Sequence, residues 1–452
     1  MKKRFLLGAI LILLLIVSMV VVACGSSTTA TTAATTATTA TPTTATPTTA
    51  APSSDTTAAT TATTAAAATK EDVLKIGAIS SATGDMATAF KAMYDSVKPT
   101  EDLINEMGGL TIGDTHYKIQ IVFYDDQSTT AGGTTAVNKL IQDGVKFLVP
   151  PMFMPINLAI AQLCEENKIF RIKSFGAGNV EVNPQNPMMF FSCAGVGAFT
   201  PFYDYALQKY PNIKKVAVIS PDDPGAVTYQ QIVKQYYASK GIEISYWEVY
   251  PQPTMDFYAL LNKALPTKPD AIDCIFGIPP CTSAIINQSR ELGFTGPIFG
   301  PSTLGDANVV NAMISKPEYA HDILSYVPDV NSDLMTDPVK KLGVKIKAAG
   351  ASFELDSLHL YDAISAILAA AQAAQSVDPV KVAAAIDDGT SKGFTGSYGP
   401  AVWGGYKSIY GNDHMAVHQG MISSYDNGKV TFQWLPWDGT APDMTLDPKY
   451  AK

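Results

Sequence analysis

The sequence predicts an α/β protein of two lobes, and three features carry that expectation. From about residue 73 short apolar strands alternate with helical stretches, the pattern of a mainly parallel sheet. The alternation pauses around residues 187–193 and starts again at Val216, so there are two series rather than one. Residues 1–23 are nearly all apolar and 26–69 nearly all Thr, Ala, Ser and Pro, which leaves about 380 residues, enough for two good domains.

In the first series, Val73–Ile79 is a strand, and Ser81–Asp85 is the loop after it. A helix runs from about Met86 to Met107, where Gly108 and Gly109 end it. Tyr117–Phe123 alternates as a strand, followed by a helix over Ala131–Gln142, a strand over Lys146–Val149, a helix over Asn157–Glu166 and a strand over Ile169–Ser174. Pro187–Cys193 is apolar and extended and suits a strand passing between lobes. The second series reads strand Val216–Ser220, helix Val227–Ser239, strand Ile242–Val249, helix Phe257–Ala264, strand Ala271–Phe276 and helix Thr282–Leu292. Later come a long Ala-rich helix, Phe353–Ser376, a shorter one, Val380–Ile386, and a hairpin over Met415–Trp434 turning at Asp426-Asn427-Gly428.

With 32 Lys and Arg against 41 Asp and Glu, the formal charge is -9, which gives no electrostatic footprint for nucleic acid. Lys2, Lys3 and Arg4 precede the apolar run Phe5–Ala23, the layout of a secretion signal. The end of that run, Val21-Val22-Ala23-Cys24-Gly25, resembles the lipobox of bacterial lipoproteins, which implies that Cys24 is lipidated and anchors the chain outside the cytoplasm. The alternative is an uncleaved membrane anchor, since the run is just long enough to span a bilayer. Residues 24–70 hold too little apolar surface to offset the entropy of ordering and are expected to be a disordered tether.

Several segments, in order, resemble the leucine/isoleucine/valine-binding branch of the type I periplasmic binding proteins. They are Leu74-Lys75-Ile76-Gly77 with Thr83-Gly84, Asn105-Glu106-Met107-Gly108-Gly109, Tyr124-Asp125-Asp126-Gln127-Ser128, Leu140–Val145 and Ser289–Phe294. The resemblance spans about residues 73–440. It implies two Rossmann-like α/β lobes joined by three crossover strands, a small-molecule ligand in the cleft, and docking of a monomer on the permease of an ABC transporter. The expected lobes are 71–192 with 326–403, and 193–325 with 404–440, before a tail at 441–452. Gly399–Gly405 resembles the last crossing. A sensor of the same fold, with no transport role, is the alternative.

In doubly wound sheets, ligands lie beyond the carboxyl ends of the strands, where helix N-termini offer free N–H groups. In the first lobe this points to Ser81 and Thr83, to Met152 and Phe153, and to Phe175, Ala177 and Asn179. In the second it points to Asp222 and Asp223, to Ile278 and Cys281, and to Ser302. The resemblance would place serine hydroxyls near Met152–Pro155 for a ligand carboxylate, and none is there. It would place an acid against a ligand ammonium where Cys281 stands, and the family's aromatic where Gly225 stands. A buried unpaired ammonium costs several kcal/mol. The expectation is therefore a small organic acid or other apolar compound packed by Met152, Phe153, Phe175 and Ile278. A branched-chain amino acid, with Asp222 or Asp223 as the acid, is the competing reading.

Besides Cys24 the chain has Cys164, Cys193, Cys274 and Cys281, one pair in each apparent lobe. They are either two disulfides, Cys164 with Cys193 and Cys274 with Cys281, or buried free thiols. His414 and His418 are four apart but in extended sequence with no third ligand near, so no metal is expected. Gly176-Ala177-Gly178 lacks the third glycine of a dinucleotide turn, and there is no phosphate loop, nucleophile elbow or acid-flanked histidine beside a nucleophile. Neither a cofactor nor catalysis is expected. Trp403, Trp434 and Trp437 are read as packing at lobe edges, and Tyr203 and Tyr229 as weaker candidates for ligand contact.

Overall fold

The computed structural model describes residues 70–450 except 175–179, 194–198, 223–225, 252–253, 276, 301–306, 327–328 and 442–444. The leader, Cys24 and the tether lie outside the described residues. Among the described residues no helix is long and apolar enough to cross a membrane.

The first sheet contains β1 (Lys70–Ser80), β2 (Leu110–Ile112), β3 (Thr115–Asp125), β4 (Phe147–Val149), β5 (Phe170–Lys173) and β6 (Met189–Phe191) in the order β2-β3-β1-β4-β5-β6. All pairs are parallel except β2 with β3. Strand β1 shows why: Leu74, Ile76 and Ala78 enter the core under helix Leu355–Ala374, while Ile79 enters the core under helices Thr130–Gln142 and Met154–Glu166. Both faces are covered, so the strands read as apolar runs. Gly77 lies on the second face, where a Cβ would sit 2.9 Å from Leu140 Cδ1; its lack of a side chain lets the helix approach.

The second sheet contains β7 (Lys215–Pro221), β8 (Glu243–Tyr250), β9 (Ala271–Cys274), β10 (Ile298–Gly300), β11 (His321–Ser325), β15 (Met421–Asp426) and β16 (Lys429–Trp434) in the order β16-β15-β11-β10-β9-β7-β8. The strands β7 to β11 are parallel, and the β15–β16 hairpin adds antiparallel to β11. Helices Phe199–Lys209 and Ala226–Ser239 cover one face, Tyr258–Ala264 and Pro279–Glu291 the other. A third, antiparallel sheet joins β12 (Gly393–Gly396), β13 (Gly399–Trp403) and β14 (Ala416–His418).

Three expectations need correction. The helix expected over 86–107 is two helices, Ala87–Asp95 and Val97–Glu106, broken at Ser96. Pro99 lacks the N–H that a continuous helix would direct to the Asp95 carbonyl, and Ser96 Oγ donates to the Met93 carbonyl at 2.7 Å. The hairpin expected over 415–434 is shorter, because Ala416–His418 pairs with β13 and the hairpin proper starts at Met421. The disulfide reading fails: Cys164, Cys193, Cys274 and Cys281 are all free. Cys164 is buried under the first sheet, whereas Cys193 follows β6 and contacts His418. Cys274 and Cys281 share an apolar core in which both face Tyr250.

Candidate functional site where the crossing segments meet

The loops at the carboxyl ends of the first sheet are held by their own strands. Ser81 is buried, and its hydroxyl donates to Asp126 Oδ1 at 2.6 Å; Thr83 is exposed, and its hydroxyl donates to Asp125 Oδ2 at 2.5 Å. Asp125 Oδ1 also accepts the N–H groups of Ala82 and Thr83. These hydroxyls, expected to meet a ligand, also tie the loop to the end of β3, and a hydroxyl that donates can still accept. Met152 and Phe153 are half-buried at the start of helix Met154–Glu166, with the Phe153 ring 6.3 Å from that of Phe90.

In the second sheet Asp222 is exposed, and its N–H donates to the Tyr250 carbonyl at 2.7 Å. Ile278 is the half-buried residue that precedes helix Pro279–Glu291, against the core. Cys281, in the first turn of that helix, is fully buried in the apolar cluster, and burial raises its thiol pKa. Phe175, Ala177, Asn179, Asp223 and Ser302 lie outside the described residues.

What the structure assembles is a polar cluster that sequence reading left scattered. Its parts come from the segments leaving β6 (Cys193), β11 (Tyr326) and β13 (Tyr406), with Tyr398, Tyr410 and His418 beside them and Tyr229 from the first turn of helix Ala226–Ser239. His418 Nδ1 lies 2.8 Å from the Gln419 carbonyl and Nε2 lies 3.0 Å from Cys193 Sγ. A carbonyl only accepts, so Nδ1 carries the proton and Nε2 accepts from the thiol. Burial lowers the His418 pKa, which agrees with a neutral ring, and pushes the Cys193 thiol up to about 12, with Asp362 adding to the shift. The Tyr398 ring stacks on His418 at 4.4 Å and 8°.

Burial raises the hydroxyl pKa values of Tyr229, Tyr326, Tyr398 and Tyr406, and each also feels Cys193. Tyr406 and Tyr410 pack edge to face at 6.4 Å. The Tyr406 and Tyr410 hydroxyls and Ser192 Oγ are buried with no partner among the described residues. Each such group costs about 1–3 kcal/mol.

Two carboxylates flank the cluster, and both are occupied. Asp362 accepts from the Ser397 N–H and hydroxyl at 2.6 Å each, and burial pushes its carboxyl up to about 6. Glu181 pairs with Lys173 at 2.6 Å, both nearly inaccessible to solvent, and accepts from Asn157 Nδ2 at 2.8 Å. Lys173 ends β5, so this ion pair ties down both sides of the chain around residues 175–179. A separate groove of about 260 Å³ runs along helix Pro279–Glu291, lined among others by Met255, Tyr258 and Met313. Its Asn287, Gln288 and Glu291 side chains are all engaged.

Of these residues only Tyr229, Cys193 and His418 drew notice in the sequence, the last two for chemistry they do not perform. Tyr398, Tyr406 and Tyr410 fall within thirteen residues of the predicted last crossing. That density of tyrosine beside a crossing was the available signal. Among the described residues there is no cluster of three or more His, Cys, Asp or Glu able to hold a metal.

Two doubly wound sheets, each continued by a segment that returns to it late in the chain, define the two-lobed class of α/β solute-binding proteins. The family model described as periplasmic binding protein matches residues 73–429, and the chain belongs to that family, in its leucine/isoleucine/valine-binding type. The family is one of solute-binding proteins rather than enzymes, and membership implies an extracytoplasmic place of work.

Among relatives, a Leu/Ile/Val-binding protein homolog from Brucella suis is 27% identical over 323 residues, 70% of this chain and 82% of that protein. The leucine-, isoleucine-, valine-, threonine-, and alanine-binding protein of Pseudomonas aeruginosa is 22% identical, covering 73% of this chain and 86% of its own length. Two solved structures share the fold. The branched-chain amino acid transporter substrate binding protein LivJ of Streptococcus pneumoniae, in complex with isoleucine, is 22% identical with a TM-score of 0.60, covering 80% of this chain and 99% of its own. A solute binding protein of an ABC transporter from R. palustris, in complex with 4-hydroxybenzoate, is 19% identical with a TM-score of 0.64, covering 82% and 98%.

Proposed function

We propose that the protein is the solute-binding component of an ABC importer, lipid-anchored through Cys24, and that it carries a small organic acid to the permease as a monomer. In this reading residues 71–192 with 326–403 and 193–325 with 404–440 are the lobes. They close on ligand, because a ligand touching both favours the closed population. The observation that carries the ligand class is the second-lobe loop. Cys281 stands where an acid would face an ammonium, it is buried in the core, and Asp222 is exposed. A branched-chain amino acid would find no acid at that position and would need Asp222 or Asp223 to pair its ammonium. Fold neighbours include R. palustris proteins in complex with 4-hydroxybenzoate and with benzoate, which supports an aromatic or apolar acid.

The test is a thermal-shift screen of residues 71–452 against amino acids, aromatic acids and short aliphatic acids. A ligand at 100 times its Kd adds about 2.7 kcal/mol of stability, enough to move Tm visibly. Shifts with leucine or valine, and none with the acids, would refute the organic-acid reading. Labelling of the full chain with a palmitate analogue, lost in Cys24→Ala, checks the anchor.

A further inference from the structure

We infer that Asn157, Lys173 and Glu181 are positioning residues of the solute site: one buried carboxylate fixes the helix turn that follows Met152 and Phe153 against the exit of β6, and so sets solute affinity. This rests on the solute-binding reading above and deepens it.

Glu181 Oε1 accepts from Asn157 Nδ2 at 2.8 Å and from Lys173 Nζ at 2.6 Å. The three residues are 2%, 3% and 3% exposed in the order Asn157, Lys173, Glu181. Each comes from a different element. Asn157 lies in the first turn of helix Met154–Glu166, and its N–H donates to the Phe153 carbonyl at 3.2 Å. Lys173 is the last residue of β5, and its carbonyl accepts from the Ser192 N–H at 2.9 Å, just past β6. Glu181 lies in the segment leading to β6, where Asn186 Nδ2 donates to its carbonyl at 2.9 Å. Lys173 Nζ also lies 5.9 Å from the centre of the Phe191 ring. Phe191 and Val182, the residue after Glu181, pack in the apolar cluster of the second sheet. One carboxylate therefore joins the turn behind Met152 and Phe153 to the place where the chain leaves the first sheet for the second.

Stability alone does not account for a charge pair here. The cost of removing two charges from water offsets most of their attraction, and apolar side chains of like volume serve a core as well. What hydrogen bonds add is direction, since a donor and an acceptor fix distance and angle where apolar packing tolerates sliding. The place at which that direction is supplied is the carboxyl edge of a doubly wound sheet, where ligands bind. Ligand-contacting groups have to be held to about 0.5 Å by a supporting layer of packing and hydrogen bonds. A second buried ion pair supplies the contrast: Arg171 and Glu165 link the same strand to the same helix, but at the helix's far end, away from that edge.

The experiment compares Lys173→Met with Glu181→Leu, an apolar replacement that keeps the core filled, with Arg171→Met with Glu165→Leu as control, both in the full chain in detergent. Calorimetric titration with 4-hydroxybenzoate and with leucine reads affinity, and hydrogen exchange followed by mass spectrometry reads the amides of residues 152–158. Loss of preorganisation should weaken whichever probe binds by at least about ten-fold in the first variant and leave the control near the unaltered protein. Exchange over 152–158 should rise in the first variant only. Asn157→Ala, which keeps the ion pair, should shift both readouts in the same direction, and serves if the double variant does not fold; melting curves decide that. Unchanged affinity in a folded variant overturns the inference and leaves solute binding standing, as does an equal loss in the control. If neither probe binds the unaltered protein, the solute classes proposed above fail, and unchanged exchange over 152–158 then overturns the positioning role on its own.

Discussion

Asp273 shows how far a single side chain can couple this fold to pH. It is fully buried in β9, where Oδ2 accepts from the Tyr203 and Tyr237 hydroxyls at 2.7 Å each. Burial pushes its carboxyl up to about 7, from an ordinary value of 3.8. Between those values the unfolded chain has lost the proton and the folded chain keeps it, so this group makes stability fall as pH rises from about 4 to about 7, by about 2–4 kcal/mol, and changes nothing above that. Asp273→Asn should flatten the fall of Tm across that window, as calorimetric scans at successive pH values would show. Lys173 is the opposite case, a buried charge with a partner. Lys173→Met leaves Glu181 buried and unpaired and should cost about 3–5 kcal/mol in denaturant unfolding, while Lys173→Met with Glu181→Leu should recover most of it. Neither pairing was legible in the sequence, because Asp273 meets tyrosines on two different helices and Lys173 reads like any strand-end lysine.

At the scale of elements the sequence was more open. Strands of a parallel sheet covered on both faces are short apolar runs, and β1, β4, β5, β7 and β9 stand out for that reason. Helix Leu355–Ala374 was visible from its alanines, and the Glu354–Ser357 capping box fixes its start. Ile364 is fully buried in its middle, and Ile364→Ala should cost about 2–5 kcal/mol, read from the denaturation midpoint at constant slope. The small sheet β12-β13-β14 was not legible. Its strands are three to five residues long, and Gly393, Gly396 and Gly399 fall within it, so neither periodicity nor propensity marks it. The tyrosine cluster was hidden for a related reason: its members lie between residues 193 and 418, and only the crossing geometry joins them.

For the whole molecule, the arrangement that matters is the passage of the chain between sheets. The third passage bends at Gly404 and Gly405, with φ of 106° and 94°, where a side chain is strained. Gly404→Ala should lower stability by about 1–3 kcal/mol and shift ligand affinity as well, since it alters a segment that both lobes share. A loss of stability with unchanged affinity would show that this bend does not take part in closure.

The interleaving of the chain also governs the order in which it can be completed during synthesis. The first sheet has all six strands by residue 191, yet the helix that covers one of its faces does not exist until residue 374. The second sheet lacks its β15–β16 edge until residue 434. A ribosome that has made three quarters of the protein therefore holds two unfinished halves with apolar faces bare, and such faces aggregate unless shielded. Folding waits for the last few dozen residues, and a chaperone or a translocation channel has that whole interval in which to capture a pliable chain.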